Sequence, residues 1–384
     1  MEEKKTNRLA QKNVRFQVDF PEFQLQGNDL KEMLVISNLE DLEKLDAFLL
    51  QYQNEKVFCA LSYDLKQILH GLATNNPRHS KFPLALFAVF HQVEQLSIET
   101  VKNENSTKDL PILFPEFDWY KTQFDQIQKH LQFGDIYETN FCISPTIKRK
   151  IDPLHTYYKL KELNKAPFSC LVQFENQYLI CSSPERYIQK TDNKLISQPI
   201  KGTSKRGETD EQDQMLAQQL QKDPKETAEN IMIVDLVRND LSQLAKRNSV
   251  KVEALNEVKS YKTVHQLVST ISCKLKEEIT FTDILKATFP MGSMTGAPKR
   301  KAMELMEEYE DFSRGMYSGS VGIIDEKGNF DFNVVIRSIL FDGETNLVSF
   351  PVGSAVTFKS NAEGEYNECK LKAQSMIKAL VDAE

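Results

Sequence analysis

The chain has 384 residues, 40% of them hydrophobic and 27% charged, enough for one large soluble domain or two ordinary ones. Its net charge of -7, with no basic stretch interleaved with aromatics, argues against a nucleic-acid surface. No run of about 18 apolar residues occurs, and the opening MEEKKTNRLAQKN lacks the apolar segment of a secretory leader, so a cytoplasmic protein without membrane association is expected.

Asn38 to Tyr52 carries apolar residues at helical spacing, and Phe82 to Phe90 is a short apolar run. The polar stretch VKNENSTKDLP, ending at Pro111, reads as a linker. It separates an N-terminal region, 1–113, expected to pack within the same α+β unit, from a larger region, 114–384. Asp118 to Phe133 predicts a helix that Gly134 stops as a C-terminal cap. Strands are predicted over Phe141–Ile147, Ser169–Phe174, Tyr178–Cys181, Tyr187–Ile188 and Leu195–Ile200. Asp223, Pro224 and Glu226 read as N-cap, first-position proline and acidic third residue of a helix running past Val237. A further helix, Pro298 to Tyr309, is entered from the glycine-bearing turn Met291–Gly296. Ser318–Ile324 and Asp331–Phe341 predict a hairpin turning at Asp325–Asn329, and a last helix opens at Ser360 with Glu363 in a capping-box pattern. The strands cluster without a regular βαβ rhythm, so the expected class is α+β rather than doubly wound.

The residue with the strongest chemical promise is Lys201, on the tight turn Pro199-Ile200-Lys201-Gly202-Thr203, downstream of a second polar turn, Ser182 to Arg186. With a reference pKa of about 10.4, only roughly 0.04% of a lysine is neutral at pH 7, so a nucleophilic one must be desolvated or sit beside another cation. The plain alternative is a solvated loop lysine. Glu226 with Glu229, and Glu365 with Glu368, form two i, i+3 carboxylate pairs, each early in a helix. Such pairs usually face solvent, but two such faces brought together would require a hard divalent cation, magnesium rather than zinc because no His or Cys accompanies them. The six cysteines show no CxxC or Cys/His spacing, so neither a disulfide framework nor a zinc site is expected. Gly292 to Lys299 is spaced G-x-x-x-G-x-x-K, which is not a nucleotide phosphate loop, although the helix N-terminus there could receive a carboxylate. His265 lies in a half-apolar stretch and is open to two readings, a satisfied structural histidine or a group near the reacting atoms.

Taken together, SSPERY (182–187), PIKGT (199–203), AENIMIVDLVRNDLS (228–242), TVHQLVST (263–270), FPMGSMTGAPKRKAMELME (289–307), YSGSVGIID (317–325) and EGEYNECKLKA (363–373) resemble the chorismate-utilising enzymes, in family order across residues 115–384. The resemblance implies an α+β fold with large antiparallel sheets flanked by helices, a Mg²⁺ requirement, and a chorismate-binding catalytic domain over 114–384. Lys201 marks the aminodeoxychorismate-forming branch, where the anthranilate-forming branch has alanine in an otherwise similar turn. By this resemblance Lys201 attacks C2 of chorismate with loss of the C4 hydroxyl, and ammonia then adds at C4 and expels the lysine. Glu185 corresponds to the general acid/base, and His265 to the histidine that helps orient the ring. Glu229 and Glu368 correspond to direct magnesium ligands, with Glu226 and Glu365 reaching the metal through water. Tyr317 and Arg337 correspond to the pair on the enolpyruvyl carboxylate, and Lys372 to the lysine on the ring carboxylate, with Thr295, Gly296 and Gly353 as further substrate contacts. Two cations and a metal suit a dianion.

The sequence departs from the family at three places. Glu138 stands where glutamine is usual and where the hydrating branches place a lysine, which counts against hydration chemistry. Val352 to Val356 only partly keeps a glycine-rich run, and the Leu-Glu-Ser signature that accompanies a tryptophan pocket is missing. The expected partners are chorismate, ammonia and a glutamine amidotransferase on a separate chain, because the sequence contains no nucleophilic-cysteine glutaminase segment; nor does it contain a lyase domain for the next step to p-aminobenzoate. An anthranilate-forming component and a catalytically weak scaffold that binds chorismate or the amidotransferase are the rival expectations.

Overall fold

The computed structural model describes residues 13–96, 110–262 and 264–381; the leading MEEKKTNRLAQK and most of the expected linker lie outside them. Sixteen strands form one sheet. Its path runs Ile200–Lys205, Val264–Lys274, Lys194–Gln198, Arg186–Thr191, Phe330–Asn333, Ser320–Ile324, then Val57–Leu61, Ala85–Gln95, Gln24–Ile36 and Val14–Asp19. It continues through Phe168–Phe174, Gln177–Ser183, Ser338–Asp342, Leu347–Ser349 and Thr146–Lys148, while Lys251–Ser260 pairs onto Val264–Lys274. A smaller sheet sets Glu138–Ile143 between Gly296–Ala297 and Val352–Thr357. The strand pairs in both sheets are antiparallel, and helices pack against them, so the expected α+β class holds.

Burial explains this arrangement. Phe16, Phe58 and Phe90 meet edge-on or tilted inside the large sheet, and Val172, Leu179 and Val321 complete that apolar layer. Helix Pro224–Leu244 buries Ile233, Val234, Val237 and Leu241, while Ala362–Val381 buries Tyr366, Cys369, Ala373 and Met376. All six cysteines are free and buried, as small apolar side chains would be. Among the described residues, no helix is long and apolar enough to cross a bilayer.

Local signals set the helix ends. Asp223 accepts hydrogen bonds from the Lys225 and Glu226 amides, and Gly134 closes Phe117–Phe133 at φ 80°. Four expectations need correction. Phe141–Ile147 is not one strand: Glu138–Ile143 ends before Pro145, which has no N–H for a ladder, and Thr146–Lys148 belongs to the other sheet. Pro199 likewise divides Leu195–Ile200 into the strands Lys194–Gln198 and Ile200–Lys205. Asp331–Phe341 is divided into Phe330–Asn333 and Ser338–Asp342, with Arg337 in the left-handed region at φ 51° just before the second. The last helix opens one residue later than expected, with Asn361 Oδ1 accepting from the Gly364 amide at 2.8 Å, while Ser360 Oγ accepts from Thr357.

Candidate active site

Lys201 comes from strand Ile200–Lys205, where the register against Val264–Lys274 slips between Lys201 and Thr203. Gly202 makes that bulge at φ 74°, and a Cβ there would stand 2.9 Å from Glu226 Oε2. Only 10% of the Lys201 side chain is exposed, and its ammonium is ion-paired with Glu138, which is 2% exposed. Burial works against the lysine's charge, but Glu138, then Glu229 and Glu185, outweigh it and hold its pKa above the ordinary value. Glu138 opens the middle strand of the small sheet. Gly296 allows this close approach, since a Cβ on it would lie 2.2 Å from the Glu138 carbonyl oxygen.

Glu185 sits on the buried turn between Gln177–Ser183 and Arg186–Thr191, where its amide donates to Ser183 Oγ and its carbonyl accepts from Val334. Ser293 Oγ donates to its carboxylate at 2.6 Å. Burial pushes the Glu185 carboxyl up to about 7, against the opposing pulls of Ser293 and the Lys201 ammonium. A carboxyl poised there can give a proton near neutral pH.

The two carboxylate pairs share one region. Lys225 Nζ lies 3.3 Å from Glu365 Oε1 and 3.8 Å from Glu229 Oε1, bridging the two helices. Glu226 and Glu229 are both raised, chiefly by burial, Glu229 to about 7, and Glu368 adds to the rise at Glu226. Burial works against ionisation at Glu368 as well, but Lys372, at 2.7 Å, more than offsets it and holds the carboxyl below its usual value. Among the described residues no three His, Cys, Asp or Glu side chains converge tightly enough to hold an ion as they stand. The donor set nevertheless fits a hard cation: all four groups are carboxylates, and Glu229 Oε1 and Glu365 Oε2 are buried without a hydrogen-bond partner among the described residues.

The expected substrate contacts fall together in part. Arg337 feels the charges of Tyr317 and Glu368, burial lowers its pKa, and its Nη1 donates to the Lys372 carbonyl at 3.2 Å. Lys372 Nζ donates to the Gly353 carbonyl at 2.9 Å, and burial pushes the Tyr317 hydroxyl well up. Thr295 is buried, with Oγ1 donating back to Met291 and its carbonyl accepting from the Asn140 amide. His265 stands differently. Its Nε2 donates to Asp213 Oδ1 at 2.9 Å and its Nδ1 meets Ser260 Oγ at 2.8 Å, so the buried ring ties helix Asp210–Lys222 to a strand paired on both sides, by Ser204 and Ser260. Ser293, Lys225 and Asp213 were not singled out from sequence. Ser293 lay inside the glycine-bearing turn, and Lys225 lies four residues before Glu229, at ion-pair spacing.

The sequence matches the chorismate binding enzyme family over residues 4–378, and the chain belongs to that family. It is 42% identical over 270 residues to a probable chloroplastic aminodeoxychorismate synthase of Oryza sativa subsp. japonica, covering 68% of this chain and 30% of that protein. It is also 31% identical over 349 residues to aminodeoxychorismate synthase component 1 of Bacillus subtilis, covering 89% and 72%. A third relative, anthranilate synthase component 1 of Aquifex aeolicus, is 34% identical over 308 residues, covering 77% and 62%. The matched segment thus spans about a third of the plant relative it aligns with. The fold is similar to that of anthranilate synthase component I from Streptococcus pneumoniae TIGR4, with TM-score 0.79 and 22% identity over 94% of this chain and 92% of that one.

Proposed function

We propose that this chain is the synthase component that converts chorismate and ammonia into 4-amino-4-deoxychorismate, on the way to p-aminobenzoate and folate. The observation that carries it is Lys201: a lysine with only a tenth of its side chain exposed, within the electrostatic reach of Glu185, a carboxyl raised to about 7. Lys201 Nζ bonds to C2, both double bonds of the ring diene shift, to C1=C6 and C4=C5, and the C4–O bond breaks. Glu185 supplies the proton that lets the hydroxyl leave as water. Ammonia then bonds to C4 and sheds a proton, the diene returns to C1=C2 and C5=C6, and the lysine is expelled as its bond to C2 breaks.

Tyr317, Arg337 and Lys372 would orient the carboxylates of the substrate, with Thr295, Gly296 and Gly353 shaping the wall around the ring. Glu229 and Glu368 would hold Mg²⁺ directly, with Glu226 and Glu365 outside them; bound there, the metal supplies positive charge to a carboxylate of the substrate. His265 would act on the ring from the strand Val264–Lys274, fixed by Asp213. Ammonia would come from a glutamine amidotransferase on a separate chain, in the cytoplasm. Incubation with chorismate, Mg²⁺ and ammonium, with products read by mass spectrometry, tests the reading. Aminodeoxychorismate without pyruvate is expected. Anthranilate plus pyruvate would instead establish the reading favoured by the Aquifex relative, and isochorismate or no product would reject both.

A further inference from the structure

Glu138 is a costly residue to bury beside a site for a dianion. One of its oxygens pairs with the Lys201 ammonium, and the other, Oε2, is buried with no hydrogen-bond partner among the described residues. An idle buried acceptor of this kind is destabilising, and a glutamine could still accept from the lysine without bringing a charge. Building on the reaction proposed above, we infer that Glu138 is a catalytic residue that takes the proton Lys201 must shed before its nitrogen can bond to carbon, and returns it when the lysine is expelled.

The charges around the pair decide where that proton can go. Glu185 faces Lys201 from the turn before Arg186, Glu229 from helix Pro224–Leu244, and Glu368 from helix Ala362–Val381, where it is paired with Lys372. Glu226 lies across Gly202. If the proton left for bulk water, Glu138 would remain an uncompensated buried anion among these carboxylates. Transfer along the existing hydrogen bond keeps the pair neutral overall before and after, so the field of an arriving dianion nearly cancels. The step balances: a Lys201 N–H proton passes to a Glu138 oxygen, the freed lone pair forms the N–C2 bond, the C1=C2 π pair moves to C1=C6 and the C5=C6 pair to C4=C5, and the C4 oxygen departs with its bonding pair, protonated by Glu185.

The test reads adduct formation alone, with the full chain, chorismate and Mg²⁺ but no ammonia, in single turnover at several pH values. The signal is the gain in intact protein mass of one chorismate less one water. Glu138→Gln should slow the adduct by on the order of a hundredfold at neutral pH. Its rate divided by the wild-type rate should climb roughly tenfold per pH unit, because the variant must lose the lysine proton to solvent while the division cancels the ionisation of Glu185. A constant ratio near one, with an adduct that Lys201→Ala lacks, overturns the role of Glu138 and leaves the proposed reaction standing. No adduct in the wild type, or an equal adduct in Lys201→Ala, overturns both. If Glu138→Gln does not fold, Glu138→Asp keeps a base with a shorter reach and should slow the adduct with a pH-independent ratio; a climbing ratio there rejects the inference.

Discussion

Two buried ion pairs flank the strand Glu138–Ile143, and they differ in what is left over. Arg314 and Glu310, 1% and 4% exposed, use everything they have: Arg314 donates to both Glu310 oxygens, to the carbonyls of Met294 and Asn140 and to Ser318 Oγ, and lies over the Tyr63 ring. Glu310 also accepts from the Cys142 amide. Lys201, 10% exposed, sits less deeply than Arg314, and in its pair one oxygen of the buried Glu138 carboxylate is idle while three further carboxylates press on the lysine. A saturated buried pair is a clamp, and here it locks the turn after Met291 to the small sheet. An unsaturated one, held beside residues of opposite task, has capacity left for chemistry.

If the two pairs differ in this way, substitutions should separate activity from stability. Lys201→Ala should lower aminodeoxychorismate formation by on the order of 10⁴ or more, with a smaller loss of unfolding free energy than any change at Arg314; a larger loss would put both pairs in the same class. Arg314→Ala should cost about 3–5 kcal/mol in denaturant unfolding, because Glu310 and two carbonyls lose their partner together. Glu229→Ala or Glu368→Ala should raise the half-saturating Mg²⁺ concentration by at least about tenfold, seen by calorimetry without turnover; an unchanged titration would remove the metal from those helices. The smallest effect is at Ser293. Its hydroxyl stabilises the charged form of Glu185, so Ser293→Ala should raise the Glu185 pKa from about 7. Activity that needs the protonated acid is lost as pH rises through that value, so the alkaline limb should move to higher pH by roughly one unit.

Much of this was legible in the chain because local chemistry carried it. The Asp223 cap, the Gly134 stop and the two i, i+3 glutamate pairs are short-range patterns whose physical reason lies within a few residues. Both proline breaks could have been read from the absent N–H alone. What spacing could not supply was which distant groups meet. Nothing near Glu138 in sequence points to Lys201, and Ser293 has no local sign of its hydrogen bond to Glu185. His265 illustrates the same limit. Its half-apolar setting was evident, but its engagement by Asp213 and Ser260 depends on where helix Asp210–Lys222 docks.

The four strands between Val14 and Gln95 enter the large sheet as a block, with Val57–Leu61 against Ser320–Ile324 on one side and Val14–Asp19 against Phe168–Phe174 on the other. This placement sets the order in which synthesis can complete the molecule. The first strands leave the ribosome early, yet the edge of Val57–Leu61 has no partner until residue 320 and beyond have been made. Through that interval a buried, wholly apolar strand, VFCAL, presents open amide and carbonyl groups, a template for pairing with another nascent chain. Its final closure is among the most non-local events in the fold, so newly made protein should depend on chaperone protection until residues 320–324 have emerged.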